Sequence, residues 1–338
     1  MLRTTLSAAA LAAIAAVAAQ SASAQTTPWR FGSNWLPQTE HGGYYQAMAD
    51  GTYAACGLDV SITPGGPQVN GRALMLAGKL DAYMGGNMLF AFNGIVQDIP
   101  FRVVAATFQK EPQVIMTHPG VAKAFTDLKD LTLLIGDNGY QTYYQWMISG
   151  FGFTPEQRRP YTFNSAPFLA DKNTGQQGYV TSEPFAIEKE AGFKPDLWLL
   201  ADYGFDTYST TIEVTQNTLE TRREDVQCFV DGSALGWYTF LYGDNTLGVK
   251  AIQEANPDMT DDRIAYAIET MKEFGIVDSG EALEVGIGAM TDARMHSFYD
   301  KMVAAGVIEG GLDISQSYTL DFVNKGVGLE LKKKLLGE

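Results

Sequence analysis

The chain has 338 residues, of which 46% are hydrophobic and 19% are charged. At roughly 150 residues per domain, this length predicts about two domains. The 24 Lys and Arg residues against 39 Asp and Glu residues give a formal charge of −15. That balance argues against nucleic acid and anionic lipid surfaces as partners, because both are bound by clustered cations.

The first 24 residues have the layout of a secretory signal peptide. Arg3 lies near the start, an Ala-rich apolar run covers 8–19, and Ala22-Ser23-Ala24 gives a small-x-small cleavage pattern. The apolar run is short for a membrane span, and no later stretch reaches 18 uninterrupted apolar residues. We therefore expect cleavage after Ala24 and a soluble periplasmic protein; an uncleaved anchor helix is the alternative.

Two cysteines, Cys56 and Cys228, occur in the chain. Neither has the CxxC or CxxH neighbours of a zinc site, so no metal is predicted. Their spacing alone cannot pair them. A structural disulfide and two buried free thiols are both open, because cysteine often behaves as a small hydrophobic residue.

Strand-like and helix-like segments alternate along the first third of the chain. Large residues alternate in the manner of a strand at 29–35, and β-branched or aromatic runs recur after it. Strands are predicted at 29–35, 58–63, 81–84 and 101–108, with helices over 44–55 and 69–77. This alternation predicts a mostly parallel α/β sheet flanked by helices.

The alternation then restarts and gives way to a helical region. Further strands are predicted at 113–117, 131–135, 160–163, 178–181, 197–200 and 209–215, with a helix over 141–149. Apolar residues at three- and four-residue spacing predict helices over 222–242, 247–255, 261–274 and 291–305. We therefore predict a first α/β lobe made of 25–111 and 215–338, with a second α/β lobe, 112–214, inserted into it.

Several short motifs follow one another in the order of a known family. They are Asn34-Trp35-Leu36-Pro37 with His41, Gly57-Leu58-Asp59-Val60, Ala77-Gly78-Lys79-Leu80-Asp81, the run 125–131 (FTDLKDL) and Ser182-Glu183-Pro184. Together they resemble the NMT1/THI5-like, thiamine-pyrimidine-precursor group of substrate-binding proteins. That group is similar to the SsuA-like periplasmic receptors of ABC importers for sulfonates and nitrate.

The resemblance implies a two-lobed, type II periplasmic binding protein. In that fold each lobe is a mostly parallel sheet flanked by helices, two strands cross between the lobes, and the ligand lies between them. We expect the lobes to close on the ligand about hinges near Gln109–Gln113 and Ile212–Gln216. An ABC permease of the inner membrane is the partner that the resemblance implies, and we expect a monomer.

Candidate ligand-binding residues lie where the predicted strands end. Open parallel sheets bind ligands beyond the carboxyl ends of their strands, and glycine there lets a ligand approach the backbone. Exposed amides at a helix start, such as the one after Gly136, are a further acceptor-binding surface. The candidates are Trp35, Glu40, His41, Tyr44, Tyr45, Gly66, Asn87 and Gln109 in the first lobe and Asn138, Tyr140, Tyr144 and Glu183 in the second.

Each aromatic candidate has core packing as its alternative. Trp35 ends its strand before Pro37, which favours the cleft, because aromatic side chains prefer half-apolar, half-wet positions. Tyr44 and Tyr45 are adjacent in a predicted helix, so only one of them can face a ligand. Tyr140 and Tyr144 share a helix face, and such a stripe is more often part of a core.

The polar candidates have capping roles as their alternative. Asn87 follows Gly85-Gly86 and could cap the next helix, and Glu40, His41 and Glu183 could act at helix starts. Glu111 lies at the predicted hinge, where a salt bridge and a ligand contact are both open.

The candidates predict a planar ligand and no chemistry. Aromatic rings suggest stacking, Glu40, Asn87 and Glu183 suggest pairing with ring amino groups, and cations are sparse near the strand ends. A pyrimidine thiamine precursor is the leading prediction, followed by riboflavin-like or other aromatic solutes and then sulfonates. No cofactor is expected.

Three other functional classes are weaker. The sequence has no HExxH, no Gly-x-Ser-x-Gly and no Gly-rich nucleotide loop. Fungal pyrimidine synthases, which the opening motif also resembles, carry a CCCFC stretch where this chain has TYSTTIEVT (207–215). An exported hydrolase rests on length alone, and a sensor that uses the same clamp cannot be separated by residues.

Overall fold

A computed structural model describes residues 26–67 and 69–338. The predicted signal peptide, 1–24, lies outside these residues. The described strands are β1 Thr27–Gly32, β2 Leu58–Thr63, β3 Ala82–Met84, β4 Phe101–Phe108, β5 Gln113–Thr117, β6 Thr132–Ile135, β7 Arg158–Pro160, β8 Thr174–Tyr179, β9 Asp196–Leu199 and β10 Ser209–Thr215. Most of the strands predicted from the sequence are present, several with the predicted bounds.

The helices flank the strands and fill the last third of the chain. They are α1 Gly42–Ala49, α2 Thr52–Ala55, α3 Gly71–Leu76, α4 Met88–Val96, α5 Asp137–Gln141, α6 Tyr143–Phe151, α7 Ala166–Ala170, α8 Glu183–Ala191, α9 Gln216–Thr221, α10 Arg223–Tyr242, α11 Thr246–Ala255, α12 Asp261–Glu273, α13 Ala282–Val285, α14 Asp292–Ala304 and α15 Leu329–Leu336. Short 3₁₀ turns include Thr39–His41, Phe125–Asp130 and Leu200–Tyr203. No helix in the described residues is both long enough and apolar enough to cross a membrane.

Two five-stranded sheets form the centres of two lobes. The first has the order β2-β1-β3-β10-β4 and the second the order β7-β6-β8-β5-β9. In the first sheet only β10 is antiparallel to its neighbours, and in the second only β5 is. The predicted architecture of two mostly parallel sheets flanked by helices is therefore confirmed.

The antiparallel strand of each sheet is the one that arrives from the other lobe. The chain leaves the first sheet after β4 and enters the second at β5, and it returns after β9 to enter the first at β10. The two crossings are thus 109–112 and 200–208. The first agrees with the predicted hinge at Gln109–Gln113.

The predicted second hinge at Ile212–Gln216 is wrong, and so is the end of the inserted lobe at 214. All of β10, Ser209–Thr215, pairs within the first sheet, where Thr211 lies opposite Ala106 and Thr215 opposite Phe101. A β-branched run is compatible with either sheet, so local propensity could not decide which sheet it joins.

Two strands of the second sheet also differ from their predicted bounds. The strand predicted at 160–163 is Arg158–Pro160, which pairs with Leu133–Ile135. The strand predicted at 178–181 is Thr174–Tyr179, with the sequence TGQQGY. Glycine and glutamine have low strand propensity, but this strand lies between β6 and β5. A Cβ on its Gly175 would lie 2.8 Å from the Leu133 side chain, so close packing requires glycine there.

Cys56 and Cys228 form a disulfide with a Cα–Cα distance of 5.8 Å, which settles the alternative left open by their spacing. The bond ties the end of α2 to α10. Beside it, Phe229 of α10 packs against Trp29, Phe31 and Tyr53, which are buried in the core of the first lobe. The helical region thus returns to the first lobe and covers one face of its sheet.

Candidate ligand-binding cleft

The loops at the carboxyl ends of both sheets face each other and enclose a cavity of about 190 Å³. The first lobe contributes the segment after β1 and parts of α12, and the second lobe contributes the turn after β8. The lining residues are Trp35, Leu36, Gln38, Thr39, Glu40, Thr181, Ser182, Asn256, Asp258, Met259, Arg263 and Ala267. Two of the predicted site residues, Trp35 and Glu40, are among them.

The loop that carries Trp35 is held in place by hydrogen bonds to the Trp35 carbonyl oxygen. The Ser33 hydroxyl and the Gly65 N–H both donate to the Trp35 carbonyl oxygen, at 2.8 and 3.1 Å. A Cβ on Gly65 would lie 2.5 Å from the Ser33 carbonyl oxygen, so the two loops approach closely only with glycine there. Gly66 is buried beside Leu36. The indole of Trp35 is half-buried and lines the cavity.

Glu40 is buried and joins the two lobes. Its carboxyl group is hydrogen-bonded to the hydroxyl of Thr181 from the second lobe. Burial raises the pKa of Glu40 to about 7, and the Thr181 hydroxyl offsets part of that rise. A carboxyl group of this kind takes up a proton or a ligand cation near neutral pH.

Two further carboxyl groups, those of Glu111 and Glu183, lie close enough to Tyr179 to act on its pKa together with Glu40, although neither lines the cavity. Burial raises the pKa of Glu111 to about 7, while the Asn87 and Ser209 side chains oppose the rise. Burial also raises the pKa of Glu183, and its carboxylate accepts the Tyr179 N–H at 2.7 Å. Glu183 is the first residue of α8, so it is a carboxylate at a helix start, but the N–H that it accepts belongs to the last residue of β8, and the helix has no side-chain cap.

The three carboxyl groups form one acidic cluster. Burial raises the pKa of Tyr179 well above its ordinary value, and the charges of Glu111, Glu40 and Glu183 raise it further. Arg263 is the only basic residue among the described residues that line the cavity. In the described part of the chain, no group of three or more His, Cys, Asp or Glu residues is arranged to hold a metal ion. The cluster therefore favours an organic cation or a donor-rich ligand.

Asn87 and Ser209 lie beside Glu111, at the point where β10 begins. The Asn87 Oδ1 accepts the Leu89 N–H at 3.2 Å, which is the predicted helix cap, and Asn87 pairs with Ser209 in an isolated β-bridge. The next residue, Thr210, has φ +48, a left-handed conformation that β-branched residues rarely adopt. Strained backbone of this kind is found at ligand clamps.

His41 and Tyr45 are buried and follow Glu40 closely in the sequence. Burial lowers the pKa of His41 to about 3, so the imidazole is neutral, and its Nδ1 has no hydrogen-bond partner in the described residues. Tyr45 is 3% exposed and belongs to the hydrophobic core cluster. A ligand role for either residue stays a prediction.

Two predicted site residues are core residues instead. Tyr44 is fully buried, its ring packs on Phe31, and its hydroxyl is 2.5 Å from the Thr107 hydroxyl. Tyr144 is also fully buried and donates to the Thr154 carbonyl oxygen at 2.9 Å. In both cases the phenol hydroxyl finds a partner inside its lobe, so burial costs little and no cleft position is needed.

Three other predicted site residues lie outside the cavity in the structure. Gln109 is buried and donates to the carbonyl oxygens of Ala106 and Ala289, at 3.0 and 2.9 Å, so it fixes the first crossing. Asn138 is exposed, and its carbonyl oxygen accepts the Thr142 hydroxyl. The ring of Tyr140 packs against the ring of Tyr144, and the guanidinium of Arg158 lies over it. None of the three lines the cavity.

Of the backbone amides predicted to bind an acceptor at the helix start after β6, the one of Gly136 already has a partner. The Gly136 N–H donates to Gln177 Oε1 at 2.6 Å, and the Tyr143 hydroxyl donates to the same oxygen at 2.9 Å. The glutamine comes from the neighbouring strand β8, which local sequence could not reveal.

The sequence reasoning missed the part of the cleft that comes from distant segments. Thr181 and Ser182 directly precede the motif residue Glu183, so their position could have been inferred. Asn256 and Arg263 belong to the helical region, and no local signal marks them as cleft residues. Asn256 Nδ2 donates to the Pro37 carbonyl oxygen at 2.7 Å and thereby fixes the loop that carries Trp35.

The lobes also touch along α12, outside the cavity. The Tyr266 hydroxyl donates to the Val180 carbonyl oxygen at 3.0 Å, and the Tyr266 ring packs on Phe185 with a centroid distance of 5.3 Å. Lys189 Nζ lies 2.9 Å from Asp262 Oδ2. The structure is therefore a closed arrangement of the two lobes.

The protein has the periplasmic binding protein fold. This class is defined by two similar sheets, by one strand that each sheet receives from the other lobe, and by a cavity between the lobes. The alkanesulfonate-binding protein SsuA from Xanthomonas axonopodis pv. citri, bound to MOPS, matches with a TM-score of 0.62 at 9% identity over 88% of this chain and 99% of that chain. The nitrate-binding protein NrtA from Synechocystis PCC 6803 matches with 0.57 at 12% identity over 92% and 89%. Identities this low show the fold alone.

Within this class, the chain belongs to the NMT1/THI5-like family, whose sequence profile matches residues 38–242. The family predicted from the short motifs is therefore confirmed. No curated protein matches the chain. The desulfurization enzyme DSZB shares the fold, with a TM-score of 0.55 at 11% identity over 90% of this chain and 99% of that chain. The fold by itself thus does not separate receptors from enzymes.

Proposed function

We propose that this protein is the exported solute receptor of an ABC importer, which closes its lobes on one small molecule and delivers it unaltered to a membrane permease. The family and the binding-protein fold support the receptor role. The Cys56–Cys228 disulfide supports export, because such bonds persist in oxidising compartments. A ligand that contacts both lobes shifts the population toward the closed arrangement.

The ligand class follows from the acidic cluster, which is the observation that carries this proposal. Glu40 is buried and lines the cavity, the buried Glu111 and the half-buried Glu183 lie near Tyr179 with it, and Arg263 is the only cation among the described lining residues. Uncompensated buried carboxylates are costly, so a ligand that supplies N–H donors or a positive charge is favoured. A sulfonate or nitrate ion would add like charge to the same cleft.

The aromatic lining narrows the class to planar rings. Trp35 lines the cavity, and a ring stacked on its indole would add about 0.5–1.5 kcal/mol beyond area burial. The cavity of about 190 Å³ is smaller than those that hold drug-sized molecules. A single-ring N-heterocycle with amino groups, as in a pyrimidine thiamine precursor, therefore fits better than a three-ring flavin.

A ligand panel tests this class directly. Thermal unfolding of the protein without residues 1–24 would be measured at pH 8, where Glu40 and Glu111 are ionised, with 4-amino-5-aminomethyl-2-methylpyrimidine, riboflavin, ethanesulfonate and nitrate. At 100 times its Kd a ligand stabilises by about 2.7 kcal/mol, so a binder raises Tm clearly. We expect the pyrimidine to give the largest rise. A rise with ethanesulfonate or nitrate alone would contradict the ligand class.

Two variants connect the panel to the cleft. Trp35→Ala is expected to weaken pyrimidine binding more than about tenfold, which corresponds to the loss of a stacked ring and its buried area. Glu40→Gln is expected to weaken it to a similar extent, while the exposed Glu188→Gln serves as its control. Unchanged affinity in both cleft variants would place the site elsewhere.

Two further measurements separate a receptor from other classes. The radius of gyration from small-angle scattering should fall when the pyrimidine binds, because the lobes close. Mass spectrometry of the bound compound after incubation should return the compound intact. A chemically altered product would instead favour an enzyme.

A further inference from the structure

Phe163 has an unusual combination of exposure and backbone conformation. Its φ of +60 is in the left-handed region, and its side chain is 54% exposed. Among the described residues, the other non-glycine residues with positive φ are Asp98, Thr210 and Asn324. Asn and Asp tolerate this region, whereas a bulky residue there is an outlier. Strained residues of this kind cluster at functional sites, so a functional contact of Phe163 is expected.

The side chain of Phe163 packs across the two lobes, on a residue that lines the cavity. Its ring lies 4.9 Å from the Trp35 ring of the first lobe and 5.3 Å from the Tyr161 ring of its own lobe. Tyr161 is buried, so it forms a fixed base for Phe163. Trp35 lines the cavity, and Phe163 therefore packs against a wall of the candidate ligand site.

The ring distance shows which side of Trp35 a planar ligand can use. A centroid distance of 4.9 Å is that of two rings in direct contact, and it leaves no room for a third ring between them. A ligand in the cavity must therefore meet a part of Trp35 that Phe163 does not cover. Opening of the lobes separates Trp35 from Phe163, because the two residues belong to different lobes.

We propose that Phe163 is a gating residue, whose ring packs on Trp35 when the lobes close and slows the exit of a ligand from the cavity. The left-handed backbone directs this ring to Trp35, and the contact is lost on opening. This inference rests on the proposed ligand site, but the Trp35–Phe163 contact itself can be tested without any ligand.

The decisive measurement is the access of a small quencher to Trp35. Acrylamide quenching would be recorded for each protein with and without Trp35→Phe, so that the Trp35 emission is obtained by difference. Phe163→Asn removes the ring but keeps a residue that tolerates positive φ. Leu283→Asn, at a site 53% exposed on α13, is the matched control. The quenching constant of Trp35 should rise at least about twofold in Phe163→Asn and stay unchanged in Leu283→Asn.

A second variant separates the ring from the strain. Phe163→Ala also removes the ring but leaves a Cβ in the left-handed region, so it should melt below Phe163→Asn by about 1–3 °C. Both variants should show the same rise in quenching. If the quenching constant of Trp35 equals the wild-type value in both variants, the proposed gating role of Phe163 is wrong.

Ligand kinetics extend the test. With 4-amino-5-aminomethyl-2-methylpyrimidine as the probe, Phe163→Asn should raise the dissociation rate by about twofold to tenfold and change the association rate by less than about twofold. An unchanged dissociation rate would overturn the gate. If the wild-type protein does not bind this probe, the proposed ligand class fails, and the quenching result alone decides the gate.

Discussion

Buried glutamates in two regions of this protein behave differently. In the first sheet, Glu213 of β10 accepts two hydrogen bonds from the Arg72 guanidinium, at 2.8 and 2.6 Å. In the cleft, Glu40 is equally buried, but its hydrogen-bond partner is the neutral hydroxyl of Thr181. The first carboxylate has an ion-pair partner, Arg72, inside the fold, and the second has none among the described residues.

This difference teaches which buried carboxyl groups are available for a ligand. A bidentate Arg–carboxylate pair satisfies both partners, so Glu213 stabilises the first lobe and has little left to offer. Among the described residues no basic side chain forms an ion pair with Glu40, Glu111 or Glu183; their partners are neutral hydroxyl, amide and backbone N–H groups, so they can still take up a proton or a cation. Burial alone would not have distinguished the two groups.

The largest expected effect is on the paired carboxylate. Glu213→Gln leaves Arg72 with an uncompensated charge, and breaking a buried pair in this way costs about 3–5 kcal/mol. Urea unfolding at pH 8 should show this loss, whereas Glu40→Gln should leave the free energy of unfolding unchanged or raise it. Equal losses in the two variants would abolish the distinction between the regions.

The second effect is a pH dependence that comes from the cleft. Glu40 and Glu111 have folded pKa values of about 7, above the ordinary value of 4.5, so the folded protein holds their protons more tightly than the unfolded chain. Their contribution to stability is full below pH 4.5 and is lost as the pH rises through 7. The loss is on the order of 3 kcal/mol for each carboxyl group.

Chemical unfolding between pH 5 and pH 8 measures this loss. Glu40→Gln and Glu111→Gln should each flatten the dependence, and Glu188→Gln should not. A wild-type stability that rises steadily from pH 5 to pH 8 would contradict the assignment of unpaired carboxyl groups to the cleft.

The third effect concerns a paired carboxylate nearer the surface. Asp81, in the motif segment Ala77–Asp81, is bonded to Arg30 and Arg222, and these partners hold its pKa below the ordinary value against the opposing effect of burial. Asp81→Asn should cost about 1.5–3 kcal/mol. Since the folded pKa is lowered, this stability is present above pH 4 and is lost as the pH falls, opposite to the cleft. A variant as stable as the wild type at pH 7 would show that the network is redundant.

The smallest effect is at the rim of the lobe contact. Lys189 and Asp262 are both more than half exposed, so their pair is weak and screened by salt. Asp262→Asn should change pyrimidine affinity by less than about fivefold, and the change should vanish at high salt. Glu254→Gln, in a surface pair within α11, is the control. A larger change that persists in salt would make this contact a main determinant of closure.

Much of the fold could be predicted because it depends on local patterns. The strands at 58–63, 101–108, 113–117 and 209–215 have the bounds that their β-branched runs indicated. The strand Thr174–Tyr179 could not be placed, because its Gly- and Gln-rich sequence is held by neighbours on both sides. For the site, Trp35 and Glu40 were predicted where the first strand ends, and both line the cavity, whereas Tyr44 and Tyr144 were predicted on helices and are buried in the core.

The sequence by itself determined the alternation of strands and helices, the family and the acidic balance, since these follow from periodicity, composition and short motifs. Only the tertiary structure decided that Ser209–Thr215 joins the first sheet, that Cys56 pairs with Cys228, and that Thr181 of the second lobe binds Glu40 of the first. Each of these depends on contacts between residues far apart in the chain, whose free energy has no signature in the local sequence.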